Sequence, residues 1–176
     1  MPAHPPVDDL ILIGLGANLT SSHGPPRKTL EIALHELERR GVAVAAVSPW
    51  YESAPVPASD QPWFVNVVAS ICTELEPEAL LALLHDVELA FGRVRRRRWE
   101  ARVLDLDLLD YRGQVRLDRP PLLPHPAMAE RSFVLLPLRD LAPHWRHPRS
   151  GLTVEKLIDA LPAGQQIRRM AADKGV

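Results

Sequence analysis

The chain has 176 residues, 46% hydrophobic and 24% charged, the balance of one soluble globular domain. Its 21 basic and 22 acidic side chains leave a net charge of -1, which argues against a nucleic-acid partner, since such proteins carry a basic excess. A single cysteine, Cys72, rules out an intrachain disulfide, and no apolar run approaches the ~20 residues of a membrane span; a cytoplasmic protein without a membrane partner is expected. Residues 1–8 read as a flexible, proline-rich tail, and 9–176 as a single domain in which 144–176 form a C-terminal helical extension.

The run Leu10 to Gly16 is apolar and ends in glycines, so it predicts a buried strand, with Asn18 in the loop after it. Pro25 and Pro26 open a helix with the stripe Leu30, Ala33, Leu34 and Leu37, stopped at Gly41. Val42 to Glu52 predicts one strand. The loop 54–62 is broken by prolines, and Trp63 to Thr73 predicts another strand. Within it Cys72 reads as a buried thiol. Pro77 starts a second helix with Leu80, Leu84, Val87 and Phe91 on one face, closed by Gly92. Glu88, in its last turn, is expected to pair with Arg93 or Arg95, because the helix dipole disfavours an anion there. Arg112-Gly113-Gln114 predicts a turn into a short strand, Val115 to Leu117. After the proline-rich run 119–126, a helix from about Met128 to Asp140 is expected to kink or break at Pro137. A last helix, Val154 to Leu161, takes Thr153 as its N-cap, and the polar tail beyond Pro162 frays. The order strand–helix–strand–strand–helix–strand predicts an α+β, ferredoxin-like split βαβ fold, a mostly antiparallel sheet with helices on one face.

The chemistry concentrates in Arg102-Val103-Leu104-Asp105-Leu106-Asp107-Leu108. Strand alternation puts Asp105 and Asp107 on one face and the leucines on the other. Two carboxylates so placed repel each other, and a hard cation relieves them. Mg²⁺ prefers carboxylate oxygen together with substrate phosphate. Arg102 and the cluster Arg93 to Arg98 upstream suit a polyphosphate. Asp-x-Asp alone is as ordinary as any solvated strand face; with the arginines and Trp99 beside it, it points to a metal–nucleotide site. No Gly-Lys-Ser/Thr phosphate loop occurs, so arginines and metal must hold the nucleotide.

Five segments in order carry a resemblance: Gly14 to Leu19, Asp60 to Asn66, Glu88 to Arg95, Arg102 to Asp107, and Pro124-His125-Pro126 with Glu130 to Leu135. Together they resemble 6-hydroxymethyl-7,8-dihydropterin pyrophosphokinase, a family of folate biosynthesis that moves a pyrophosphoryl group from ATP to a pterin and releases AMP. The resemblance implies two Mg²⁺ ions on Asp105 and Asp107, and Arg93 and Arg102 as catalytic residues. It implies ATP contacts from Arg95, Arg96, Trp99, Leu108, His125 and Arg131. For the pterin it implies Phe64 and Phe133 as stacking faces, Asn66 and Asn18 as polar contacts, and backbone groups of Ser53, Ala54 and Val56 at the ring edge. The partners implied are these two small molecules, and the chain is expected to be monomeric. Two rivals are a ferredoxin-like nucleic-acid module using Arg93 to Trp99, and another metal-dependent nucleotide enzyme.

Overall fold

In the computed structural model, which describes residues 9–92 and 102–172, β1 (Ile11–Ala17) separates two kinds of side chain. Ile11, Ile13, Leu15 and Ala17 are buried in one core, whereas Leu12 belongs to a second core on the opposite face. Gly14 and Gly16 share the face of Leu12 and leave it bare further along the strand. The other elements assemble around this division.

The first core forms under two helices. α1 (Pro26–Arg39) and α2 (Pro77–Ala90) both begin with proline in the first turn, where its missing N–H costs nothing. Their stripes, Leu30, Ala33 and Leu37 from α1 and Leu80, Leu84 and Val87 from α2, pack against the sheet. Each such fully buried leucine or valine side chain contributes roughly 1.5–3 kcal/mol.

Among the described residues six strands form one antiparallel sheet. Its path runs β5 (Asp105–Tyr111), β1, β4 (Phe64–Cys72), β3 (Tyr51–Ser53), β6 (Ile167–Arg169), with β2 (Ala43–Val47) paired to the other half of β4. This is the split βαβ order. The predicted strand Val42 to Glu52 is divided into β2 and β3. Pro49 has no N–H to donate, and before it the Ser48 backbone N–H bonds Val68 O while the Ser48 hydroxyl accepts Val68 N–H. Cys72, at the end of β4, is exposed rather than buried.

Helices cover both faces, not one. α3 (Ser132–Leu141) and α4 (Val154–Asp159) bury Val134, Leu135, Leu138, Val154 and Leu157 with Leu12, Val68, Leu109 and Trp145 on the second face. A bulge between β1 and β5 accompanies this layer: Ile13 pairs with Leu108 but Leu12 pairs with Asp110, leaving Leu109 as an extra residue. Leu109 joins the second core, and Asp110 Oδ2 accepts the Trp145 indole N–H at 2.8 Å. Burial raises the Asp110 carboxyl above its usual range.

Further differences lie in the C-terminal half. The predicted helix 128–140 is interrupted at Arg131, which is extended (φ −115°, ψ 111°) between a 3-10 turn at Met128–Glu130 and α3; Pro137 sits inside α3. The Arg112-Gly113 turn forms, with positive φ at both residues, yet Val115 to Leu117 is no strand and makes one isolated bridge, Arg116 to Leu123. Thr153 caps α4 as expected, accepting Lys156 N–H. The tail beyond Pro162 is ordered into β6, so the C-terminal part is strand as well as helix. No helix among the described residues is long and apolar enough to cross a membrane.

Candidate active site

α3 and α4 cover only part of the second face, and the remainder is a cleft. Its floor follows from the register. Asp105 pairs with Gly16, Gly16 with Asn66, and Asn66 with Tyr51, so these four form one row across β5, β1, β4 and β3. The next row is Asp107, Gly14 and Val68. Directly paired residues share a face. The acids therefore stand on one flank, an amide on the other, and two glycines between them. A Cβ on Gly16 would lie 3.1 Å from Asn66 Oδ1.

On the acidic flank, Asp105 Oδ2 meets Arg102 Nη1 at 2.6 Å. Asp107 Oδ2 faces Arg131 Nη1 at 3.7 Å, and Oδ1 faces His125 Nε2 at 4.0 Å. The Asp107 carboxyl is ringed by protein, although 29% of its side-chain surface opens into the cleft. Burial, and then the neighbouring Asp105 charge, raises it from 3.8 to about 7, against the pull of Arg131. His125 is held by its N–H to Leu109 O, and its Nδ1 accepts Ala127 N–H. Burial, with Arg131 nearby, lowers its imidazole from 6.5 to about 4. It is neutral at pH 7, with its proton on Nε2, so its approach to Asp107 is not an ion pair.

Glu88 has a partner that its place in the sequence did not announce, while Arg93 and Arg95, the partners expected for it, lie outside the described residues. Its Oε1 accepts Leu106 N–H at 2.7 Å, between the two acids, and the residue is 2% exposed. Its charge also helps raise Asp107. The helix phase of α2 could have flagged it, because Glu88 adjoins Val87 on the buried side.

On the other flank Asn66 is buried and donates to Ser53 Oγ at 2.7 Å. Phe64 and Phe133 are half-buried, and Phe133 lies under the Arg131 guanidinium at 5.6 Å. Ala54 N–H is already given to Gln166 O, which leaves its carbonyl for a ligand. Val56 lies on an exposed loop. Asn18 is buried and committed internally: Nδ2 donates to Gln61 Oε1 and Pro62 O, and Oδ1 accepts Arg102 N–H at 2.8 Å. It ties together the segments that carry Gln61, Pro62 and Arg102. Leu108 is buried in the first core, so its side chain cannot touch a nucleotide in the cleft and only its backbone remains. Arg93, Arg95, Arg96 and Trp99 lie outside the described residues.

An α+β domain with an acid pair, guanidinium groups and a facing amide around a glycine floor has the construction of an enzyme that handles a polyanion beside a flat polar ring. Residues 12–143 match the model of the family 7,8-dihydro-6-hydroxymethylpterin-pyrophosphokinase. A Pseudomonas aeruginosa 2-amino-4-hydroxy-6-hydroxymethyldihydropteridine pyrophosphokinase is 45% identical over 154 residues, covering 86% of this chain and 91% of its own length. A Synechocystis protein of the same name is 40% identical over 150 residues, covering 84% of this chain and 74% of its own. The Plasmodium falciparum HPPK-DHPS structure shares the fold, with a TM-score of 0.67 at 14% identity over 86% of this chain and 44% of that one. The chain belongs to the 7,8-dihydro-6-hydroxymethylpterin-pyrophosphokinase family.

Proposed function

We propose that the chain transfers the pyrophosphoryl group of ATP to the hydroxymethyl oxygen of 6-hydroxymethyl-7,8-dihydropterin. A bond forms between that oxygen and the β-phosphorus, the bond from the β-phosphorus to the α–β bridging oxygen breaks, AMP leaves, and the hydroxyl proton is released. The observation that supports this reading is the row Asp105, Gly16, Asn66, in which an acid that would serve a phosphate chain and an amide that would serve a ring edge flank a glycine of β1.

The acid pair fits Mg²⁺. Two like charges stand on one strand face, and burial followed by the neighbouring Asp105 charge raises Asp107 to about 7, a state that a bound cation would relieve. Among the described residues no group of three or more His, Cys, Asp or Glu side chains could hold a metal alone. Two carboxylates completed by phosphate oxygen and water is the set Mg²⁺ favours. Two Mg²⁺ ions bound there would supply positive charge to the triphosphate.

The side chains then divide the work. Arg102 lies against Asp105 and neutralises charge that builds on the phosphates. Arg131 and neutral His125 donate to the nucleotide from the far side of Asp107. Phe64 and Phe133 offer ring faces to the pterin, and Asn66 offers an amide to its edge. By the family resemblance Arg93 would join Arg102 on the phosphates, and Arg95, Arg96 and Trp99 would bind ATP; all four lie outside the described residues. Incubation with ATP, Mg²⁺ and the reduced hydroxymethylpterin should yield AMP and pterin diphosphate. ADP as product, or AMP formed equally well without the pterin, overturns the reading.

A further inference from the structure

Arg131 is held in place by a side chain from far along the chain. Gln165 Oε1 accepts the N–H of Ser132 at 2.9 Å, and Gln165 Nε2 donates to the carbonyl of Glu130 at 2.8 Å. These two groups belong to the two peptide planes that flank the Arg131 Cα. Only one orientation of the Gln165 amide satisfies both, oxygen to N–H and nitrogen to carbonyl. The side chain thus behaves as the amide of a neighbouring strand would, pairing with an extended residue. It fixes Arg131 at φ −115° and ψ 111°, where no side chain of α3 itself caps the helix.

The residues beside Gln165 reach the other flank of the cleft. Gln166 O accepts Ala54 N–H at 3.0 Å, and Ile167 pairs with Ser53, whose hydroxyl receives the Asn66 amide. Three consecutive residues therefore touch the backbone on both sides: 130–132, which carries Arg131 and leads into Phe133, and 53–54, which supports Asn66. None of these contacts contributes to either hydrophobic core through the Gln165 side chain, which is partly exposed.

We propose that Gln165, within the strap Gln165–Ile167, is a positioning residue for the transfer reaction: it fixes the backbone of Arg131 and so sets the guanidinium against Asp107 and the Phe133 ring. This inference rests on the function proposed above. Geometry of this kind matters because a small misplacement of a substrate-holding group costs far more rate than stability.

The experiment compares Gln165→Ala and Gln165→Met, the second keeping the bulk and losing both hydrogen bonds, with the full-length wild type and with Leu157→Ala, a core variant destabilised away from the cleft. Wild-type turnover to AMP and pterin diphosphate tests the function itself, independently of the variants. Steady-state constants for both substrates, calorimetric binding of a non-hydrolysable ATP analogue, and hydrogen exchange at Ser132 N–H are then measured for each variant. We expect both Gln165 variants to lose about tenfold or more in kcat/KM, with weaker analogue binding and faster Ser132 exchange, at a melting temperature close to wild type. Leu157→Ala should melt earlier and keep its kcat/KM at a temperature where it is folded. The proposal is overturned if Gln165→Met matches wild type in kcat/KM and Ser132 exchange, or if losses track melting temperature alike in all three variants.

Discussion

Glu88 and Leu106 are 18 residues apart in sequence and joined at 2.7 Å, carboxylate to backbone N–H. Leu106 stands between Asp105 and Asp107, so a buried anion from α2 grips the outer side of the strand that carries both acids. Removing that acceptor leaves a buried donor unsatisfied. Glu88→Ala should cost roughly 1–3 kcal/mol in urea denaturation and lower turnover as well, because the acids sit on the loosened strand. Glu88→Gln keeps an acceptor oxygen and should lose less of both. A Glu88→Ala protein with the wild-type unfolding midpoint would dismiss this role.

Asp107 links stability to pH and to Mg²⁺. Its carboxyl titrates at about 7 in the folded chain, against 3.8 for an ordinary aspartate. Between those values the folded protein holds a proton that the unfolded chain has lost, so this group's contribution is greatest at the acid end and is lost as pH rises through 7. His125 acts in the opposite sense: it is lowered from 6.5 to about 4, and its contribution is lost as pH falls through that window. The Asp107 effect is therefore read as the difference between wild type and Asp107→Asn, in which His125 is common to both. Without metal the Asn variant should be the more stable of the two at about pH 8. Mg²⁺ should raise the wild-type melting temperature at about pH 8, much less at about pH 5.5, and not at all in the variant. An equal Mg²⁺ response at both pH values would refute the linkage.

Arg102 separates side-chain from backbone duties. Its guanidinium meets Asp105, whereas its N–H and carbonyl are held by Asn18. Arg102→Ala should cut kcat by about a hundredfold and leave the fold intact. Asn18→Ala should destabilise instead, since it abandons Gln61, Pro62 and Arg102 together. Circular-dichroism melts and initial rates distinguish the two, and the assignment fails if Arg102→Ala retains the wild-type rate.

The two floor glycines should tolerate substitution differently. A Cβ at Gly14 meets Leu109 at 3.5 Å, ordinary contact, whereas at Gly16 it meets Asn66 Oδ1 at 3.1 Å. Gly16→Ala should cost about 1 kcal/mol of overpacking and raise the pterin KM by displacing the Asn66 amide. Gly14→Ala should leave the pterin KM close to wild type. Equal effects on that constant would show that Asn66 is not where the ring edge binds.

Much of the fold and the acid pair is legible in the residues. Alternation places Asp105 and Asp107 together, proline and glycine bracket α1 and α2, and Thr153 announces α4, because each signal is local. What the local signals do not announce shares another cause. The break between β2 and β3 depends on Ser48 meeting Val68, Glu88 on Leu106, and the ordering of 165–169 on Ser53, Ala54, Glu130 and Ser132. These are long-range partnerships of polar groups, with no periodicity to reveal them. The side taken by Asp110 escapes the sequence because the extra residue at Leu109 breaks the alternation of β5 and turns Asp110 toward Trp145, and a bulge leaves no mark in a hydrophobic pattern. Family resemblance assigns Leu108 to ATP, although strand parity alone puts its side chain in the core opposite the acids.

The strand borders carry a consequence for concentrated solutions. A sheet that ends in a long, unpaired ribbon invites a second copy to dock on it and start a fibre. Here Glu88 and His125 already occupy backbone groups of β5, β6 is three residues long with two arginines, and β2 is interrupted by a register shift between Val44 and Ala46. Among the described residues, lateral stacking of copies through their sheets finds no uninterrupted stretch of main chain on which to begin.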